Sequence, residues 1–134
     1  MSRPRSWPES IVIVEDDQGT ADMFGRILTE AGYDVTTAPD EETGLNAIER
    51  VGPSAVLLDL HLKSADARGL LRRLRASRDG AHVPVAIVTG DYFIDESVTH
   101  DLKEMGAYVY FKPLWAEDLL PLVRNLVAGS LTPQ

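Results

Sequence analysis

At 134 residues, 44% hydrophobic and 25% charged, the chain is one domain's worth of ordinary globular sequence, large enough to bury a real core. Its formal net charge of −8 speaks against a nucleic-acid-binding surface, which needs a basic face, and suits a divalent cation if several acids cluster. With no cysteine, disulfides and thiolate metal sites are excluded, and no apolar stretch approaches membrane-spanning length.

Residues 1–9 carry Arg3 and Arg5, lack the apolar core of a signal peptide and read as a flexible tail in which Trp7 packs at most locally. The run Ile11-Val12-Ile13-Val14 is continuous, apolar and β-branched. It reads as a strand buried on both faces that ends in Glu15, Asp16 and Asp17. A helix is predicted from about Thr20 to Ala31, because Phe24, Ile27, Leu28 and Ala31 recur at helical period, with Gly32 as its terminator. Val35 to Ala38 is a shorter, more polar strand, as suits a position nearer a sheet edge. Asp40 then caps a second helix whose first turn carries Glu41 and Glu42, whose buried side is Leu45 and Ile48, and which stops at Gly52-Pro53.

Ala55-Val56-Leu57-Leu58-Asp59 is another uninterrupted apolar run, and it ends on a carboxylate. A buried strand has no use for an acid at its tip unless the acid is solvated, paired or chemically used. A loop from Leu60 to about Arg68 leads to a third helix marked by Leu70, Leu71 and Leu74. Arg72, Arg73, Arg75 and Arg78 are placed on its solvated faces. A fourth strand, Val83 to Val88, runs into Thr89-Gly90-Asp91. A fourth helix from near Asp95 buries Val98, Leu102 and Met105 and stops at Gly106. Ala107 to Phe111 forms the fifth strand, closed by Lys112-Pro113. The last helix runs from about Ala116 to Val127 with Leu119, Leu122, Val123 and Leu126 inward. Pro121 conflicts with it unless that residue lies in the first turn. Residues 129–134 form a short tail, so the folded unit is residues 10–128.

Five strand-then-helix repeats predict an α/β fold, a parallel sheet with helices on both faces. In such a sheet every strand ends at the same edge, which is where ligands bind. Glu15, Asp16, Asp17, Asp59, Thr89 and Lys112 therefore converge. Clustered carboxylates repel one another, and a hard cation relieves the repulsion. An all-oxygen set suits Mg2+. An Asp beside such a metal can attack phosphorus and form an aspartyl phosphate, with a Lys and a Thr hydroxyl available to the phosphoryl oxygens.

These motifs together resemble the receiver domain of bacterial two-component response regulators. Ile11 to Asp17 is similar to the family's first strand and acidic pocket, and Leu57-Leu58-Asp59-Leu60 to its phosphoacceptor strand. Val88-Thr89-Gly90 is similar to the switch threonine followed by a small residue. Gly106-Ala107 through Phe111-Lys112-Pro113 is similar to the fifth strand, whose Lys-Pro bond is usually cis in the family. The match covers roughly Ser10 to Val127.

The resemblance implies a doubly wound, flavodoxin-like fold with five parallel strands in the order 2-1-3-4-5 and five helices. It implies Asp59 as phosphoacceptor, Asp16 as a direct magnesium ligand, and Glu15 as a ligand acting mostly through water. The backbone carbonyl of His61 completes the protein ligands, Asp17 is secondary, and Thr89 and Lys112 contact the phosphoryl oxygens. The donor is a phosphohistidine on a sensor histidine kinase or a histidine phosphotransfer protein. The implied switch is cytoplasmic and not an enzyme, beyond assisting its own phosphorylation and dephosphorylation. It signals to a downstream protein, or dimerises, through the surface of the fourth helix, fifth strand and fifth helix, or relays the phosphoryl group. Neither nucleic acid nor membrane is an expected partner.

The sequence departs from the family at two places. Lys63 stands where a proline is common, in a loop about two residues long for the family. Val109 stands where the switch aromatic is expected, three residues before Lys112. Tyr108 and Tyr110 flank Val109 and face the opposite way. His61 is a candidate for contact with the water that hydrolyses the phosphoryl group, Asp91 for control of access, and Gly90 for leaving the donor room. Trp115 is an interface or helix-entry residue, and His82 and His100 are surface residues. Two alternatives follow. One is a degenerate receiver acting as a phosphorylation-independent binding module. The other is an aspartyl-nucleophile phosphatase, disfavoured because His61 stands where that class carries a second Asp.

Overall fold

Continuous apolar runs become buried strands, and 3.6-period faces become the helices that cover them. The computed structural model describes residues 8–62 and 65–129. Trp7 and Lys63 lie outside the described residues. Strand β1 is Ser10–Val14, α1 Gln18–Glu30, β2 Asp34–Ala38, α2 Glu41–Val51 and β3 Ala55–Asp59. Helix α3 is Ala67–Ala76, β4 Val85–Thr89, α4 Glu96–Glu104, β5 Ala107–Phe111 and α5 Ala116–Ala128. The sheet is parallel, as the strand-then-helix repeats predict, with the order β2-β1-β3-β4-β5 that the family resemblance implies.

Strand alternation splits the core in two. Val12, Val14, Val56, Leu58, Val85 and Ile87 face α2, α3 and α4, which contribute Ala47, Ile48, Leu70, Leu71, Leu74 and Leu102. Ile11, Ile13, Leu57, Ala86 and Val88 face α1 and α5 and meet Phe24, Leu28, Leu119, Leu122, Val123 and Leu126. Each large aliphatic side chain removed from water here contributes about 1.5–3 kcal/mol. Glu9 already joins the sheet's edge, its carbonyl accepting from the Asp34 amide at 2.9 Å.

Several boundaries differ from the sequence reading, each for a local reason. Helix α1 starts two residues early because Asp17 caps it, accepting from the Thr20 amide at 2.9 Å and the Thr20 hydroxyl at 2.6 Å. The fourth strand starts at Val85, not Val83. Pro84 has no amide to donate, and the Val83 carbonyl is taken by a side chain, accepting from Arg75 at 2.7 Å. The predicted loop after β3 is instead a small antiparallel hairpin, His61–Leu62 paired with Ala65–Asp66. Asp66 then caps α3, so that helix opens at Ala67. Pro121 lies past the first turn of α5. The amide bond it withholds would have gone to the carbonyl of exposed Glu117, where water can serve.

Arg75 corrects the expectation of a wholly solvated arginine face. Arg72, Arg73 and Arg78 are exposed, but Arg75 reaches inward. Its guanidinium donates to the carbonyls of Met105 at 2.8 Å, Gly80 at 3.0 Å and Val83 at 2.7 Å. It thereby ties the end of α3 to the segment before β4 and the turn into β5. Among the described residues no helix is long and apolar enough to cross a membrane.

Candidate functional site

Every strand of the sheet points its carboxyl end the same way, so the residues at or just past the ends of β1, β3, β4 and β5 share one edge. Glu15 follows β1 directly and is buried at 4% exposure. Asp59 ends β3 with a side chain 11% exposed, and Thr89 ends β4 at 1%. Lys112 follows β5. Its ammonium donates to Glu15 Oε1 at 2.6 Å and lies 3.8 Å from Asp59 Oδ2. Its backbone amide donates to the Thr89 carbonyl at 2.8 Å, which locks the ends of β4 and β5 together. The Lys112-Pro113 bond is cis.

Glu15, Asp16 and Asp59 each present a carboxylate oxygen, and these oxygens lie within 4.8 Å of one another. Among the described residues one lysine faces three acids, leaving two negative charges in that set when all are ionised. Burial pushes the Glu15 carboxyl above its ordinary range. Its hydrogen-bonded neighbour Asp59 pushes it further the same way, and Lys112 and the Asp17 amide oppose them. Asp16, by contrast, is exposed to solvent. The donor set is all oxygen, crowded and under-neutralised, which fits a hard divalent cation.

The structure thus brings Glu15, Asp16, Asp59 and Lys112 together and puts Thr89 at the next strand end. Asp17 is committed to the cap of α1, and its bonds to Thr20 hold its carboxyl below the ordinary range. At Gly90 an added Cβ would meet nothing within 4 Å, so internal packing does not demand glycine there.

Two arrangements escaped the sequence reading. The His61 ring pairs with Asp91, Nε2 to Oδ2 at 2.8 Å, and this contact holds the Asp91 carboxyl below its ordinary range. The residues stand two positions past Asp59 and two past Thr89 on neighbouring strands, a symmetry that could have signalled the pair. The second arrangement is aromatic. Tyr92 stacks on Phe111, ring centroids 5.4 Å apart and planes inclined by 15°, and its hydroxyl donates to the Lys112 carbonyl. Tyr108 and Tyr110, the sequence candidates, pack on the α1–α5 side of the sheet, while Val109 packs on the α4 side. Trp115 is exposed at 57%, as are His82 and His100 at the surface.

Comparison with known proteins agrees with this geometry. The response regulator receiver domain profile matches residues 11–124. The sensory transduction protein RegX3 of Mycolicibacterium smegmatis is 36% identical over 120 residues, which are 88% of this chain and 50% of that protein. The chain spans about half the length of the curated relatives it matches. Among solved structures, a CheY-like response regulator receiver domain protein from Methanospirillum hungatei superposes with TM-score 0.83 at 27% identity, covering 92% of this chain and 96% of that one. The receiver domain of a sensor histidine kinase from Pseudomonas aeruginosa has the same fold, with TM-score 0.79 at 24% identity over 90% of this chain and 98% of that one. Its crystal structure holds a magnesium ion coordinated in the active-site cleft.

Proposed function

The chain belongs to the response regulator receiver domain family, and from that premise we propose that it is a phosphorylation-dependent switch with Asp59 as its phosphoacceptor. One observation carries the assignment of roles. A carboxylate at the tip of the central strand sits in a three-acid oxygen cluster with a lysine ammonium 3.8 Å away. Glu15, Asp16 and Asp59, with the backbone carbonyl of His61, would hold Mg2+. When bound, the ion supplies charge neutralisation for the carboxylates and for the phosphoryl oxygens.

In the transfer step an Asp59 carboxylate oxygen forms a bond to the phosphorus of a phosphohistidine. The phosphorus–nitrogen bond breaks, and the electron pair stays on the imidazole nitrogen, which takes up a proton from solvent. The product is an acyl phosphate on Asp59 and a free histidine on the donor. Lys112 stabilises the negative charge on the transferring group, and Thr89 donates its hydroxyl to a phosphoryl oxygen. The absence of packing around a Cβ at Gly90 supports an approach open to the donor. The acyl phosphate is cleared by hydrolysis, in which a water oxygen bonds to phosphorus, the bond from phosphorus to the Asp59 oxygen breaks, and inorganic phosphate leaves the Asp59 carboxylate free, with the same residues assisting.

The partners that fit are a sensor histidine kinase or a histidine phosphotransfer protein on the input side. On the output side is a protein reading the α4–β5–α5 face. The test is phosphoryl transfer from acetyl phosphate and from a phosphorylated histidine kinase. Magnesium-dependent incorporation in the wild type, absent in Asp59→Asn, is the expected result. Incorporation that survives Asp59→Asn would overturn the assignment of the acceptor, and no incorporation with or without magnesium would leave the binding-module alternative.

A further inference from the structure

The expected aromatic position of β5 holds Val109, which raises the question of what senses Thr89. Sheet register answers it. Thr89 pairs directly with Phe111, and the alternation of β4 and β5 puts both side chains on the face that carries α4. Tyr108 and Tyr110 belong to the other face. We propose that Phe111 and Tyr92 together are the aromatic readout of this receiver, with the Gly90–Phe93 segment as the latch that Thr89 moves. This rests on Asp59 being the phosphoacceptor.

The segment is held at several points, and those nearest the site involve its own residues. The Thr89 hydroxyl oxygen accepts from the Asp91 amide at 3.0 Å. The Asp91 carboxylate binds His61 and, through its other oxygen, the Phe93 amide at 2.9 Å. The Tyr92 hydroxyl donates to the carbonyl of Lys112, whose own amide is bonded to Thr89. A phosphoryl oxygen that takes the Thr89 hydroxyl as donor pulls that side chain towards β3. The Asp91 amide then either follows or is released. In both cases the chain at Tyr92 shifts, and the offset, near-parallel contact of its ring with Phe111 changes with it. Tyr92 is 60% exposed and Phe111 43%, so little surrounding packing resists the change. A signal that begins as one hydrogen bond thereby becomes a rearranged aromatic surface beside α4 and β5.

The test uses the full chain with ring-labelled tyrosine and phenylalanine, followed by NMR as magnesium and beryllofluoride are added. Backbone amides at Asp59 and Lys112 report whether the phosphoryl mimic binds. The Tyr92 and Phe111 rings are expected to shift strongly, with the Tyr108 and Tyr110 rings nearly still. In Tyr92→Leu the mimic is expected to bind as before, with the Phe111 ring response lost. Thr89→Ala is expected to weaken the mimic, and at beryllofluoride concentrations that restore the full Asp59 amide response both rings stay silent. Rings of Tyr108 or Tyr110 that move while Tyr92 and Phe111 stay put would overturn the inference, as would a Tyr92 response undiminished in Thr89→Ala. Silence at the Asp59 and Lys112 amides themselves would instead bring down the phosphoacceptor reading, and this one with it.

Discussion

Lys112→Met probes the electrostatic design of the site. The substitution keeps the length and most of the apolar stem and removes the one ammonium that, among the described residues, faces Glu15 and Asp59. Glu15 has a side chain only 3% exposed and loses its 2.6 Å partner, so a buried carboxylate is left among like charges. Stripping one member from a fully buried pair costs about 3–5 kcal/mol. Lys112 is 24% exposed and water can enter, so the expected loss is at the low end, roughly 3 kcal/mol at neutral pH in a chelator. With a urea slope of roughly 1–3 kcal/mol per molar, the unfolding midpoint falls by about 1–3 M. Most of the loss is a penalty on Glu15, so Glu15→Gln in the same chain should restore much of it. Magnesium should raise the midpoint more in Lys112→Met than in the wild type, because the variant cluster holds one more uncompensated negative charge. Urea curves for the wild type, both single variants and the double variant, each with chelator and with magnesium, measure every term. A midpoint unchanged in Lys112→Met, or a loss undiminished by Glu15→Gln, would refute the account.

Three further outcomes follow from other parts of the structure. Arg75→Leu should cost about 2–4 kcal/mol in urea unfolding, since three carbonyls lose a charged donor whose bonds are typically worth about 1.5–3 kcal/mol each and water replaces part of them. Gly44→Ala in α2 should destabilise by about 1–3 kcal/mol despite alanine's better helix propensity, because the new Cβ would stand 2.9 and 3.0 Å from the two γ-methyls of Val14, which is fully buried. Asp17, Asp40 and Asp66 have carboxyls held below the ordinary 3.8 by hydrogen bonds to Thr20, Thr43 and Arg68 respectively. A lowered folded-state value means stability that is present above pH 3.8 and drains away as pH falls through the folded-state values. Asp40→Asn, which keeps a capping oxygen but no charge, should flatten that acid limb when urea midpoints are followed from about pH 5 to about pH 2.

The strands and the converging site residues were legible because their signals are local. An apolar run such as Ala55 to Leu58 dictates a buried strand, and a parallel sheet then carries Asp59, Thr89 and Lys112 to one edge whatever the side-chain details. Asp40 showed its cap in the sequence because a full helical pattern follows it. Asp17 did not, standing in an acidic run where each carboxylate looked alike until the Thr20 bonds separated one from the rest. Arg75 was hidden for a related reason. Helical periodicity distinguishes buried from exposed positions only for apolar residues. A long polar side chain at the margin of the face can turn either way, depending on carbonyls contributed by residues 5 to 30 positions on. The Phe111–Thr89 pairing was within reach of the sequence. Fixing it required the register between β4 and β5, which depended on where β4 begins, and Pro84 and Val83 had put that two residues early.

The Arg75 contacts carry a mechanical consequence. They join three segments at the sheet edge opposite Asp59, where the chain leaves α3, approaches β4 and turns into β5. At the acidic edge, the segment after β4 is held by a few bonds, to the buried Thr89 hydroxyl and to the more exposed His61, Asp91 and Lys112. The sheet is therefore clamped at one rim, while at the other only the segment beyond the locked ends of β4 and β5 lies outside it. A displacement started at Thr89 meets a stiff sheet below and spends itself sideways, along the rim towards Tyr92 and α4. Amide hydrogen exchange should be slow around Val85 and Ala107 and fast across Gly90 to Phe93, and that gradient aims the signal.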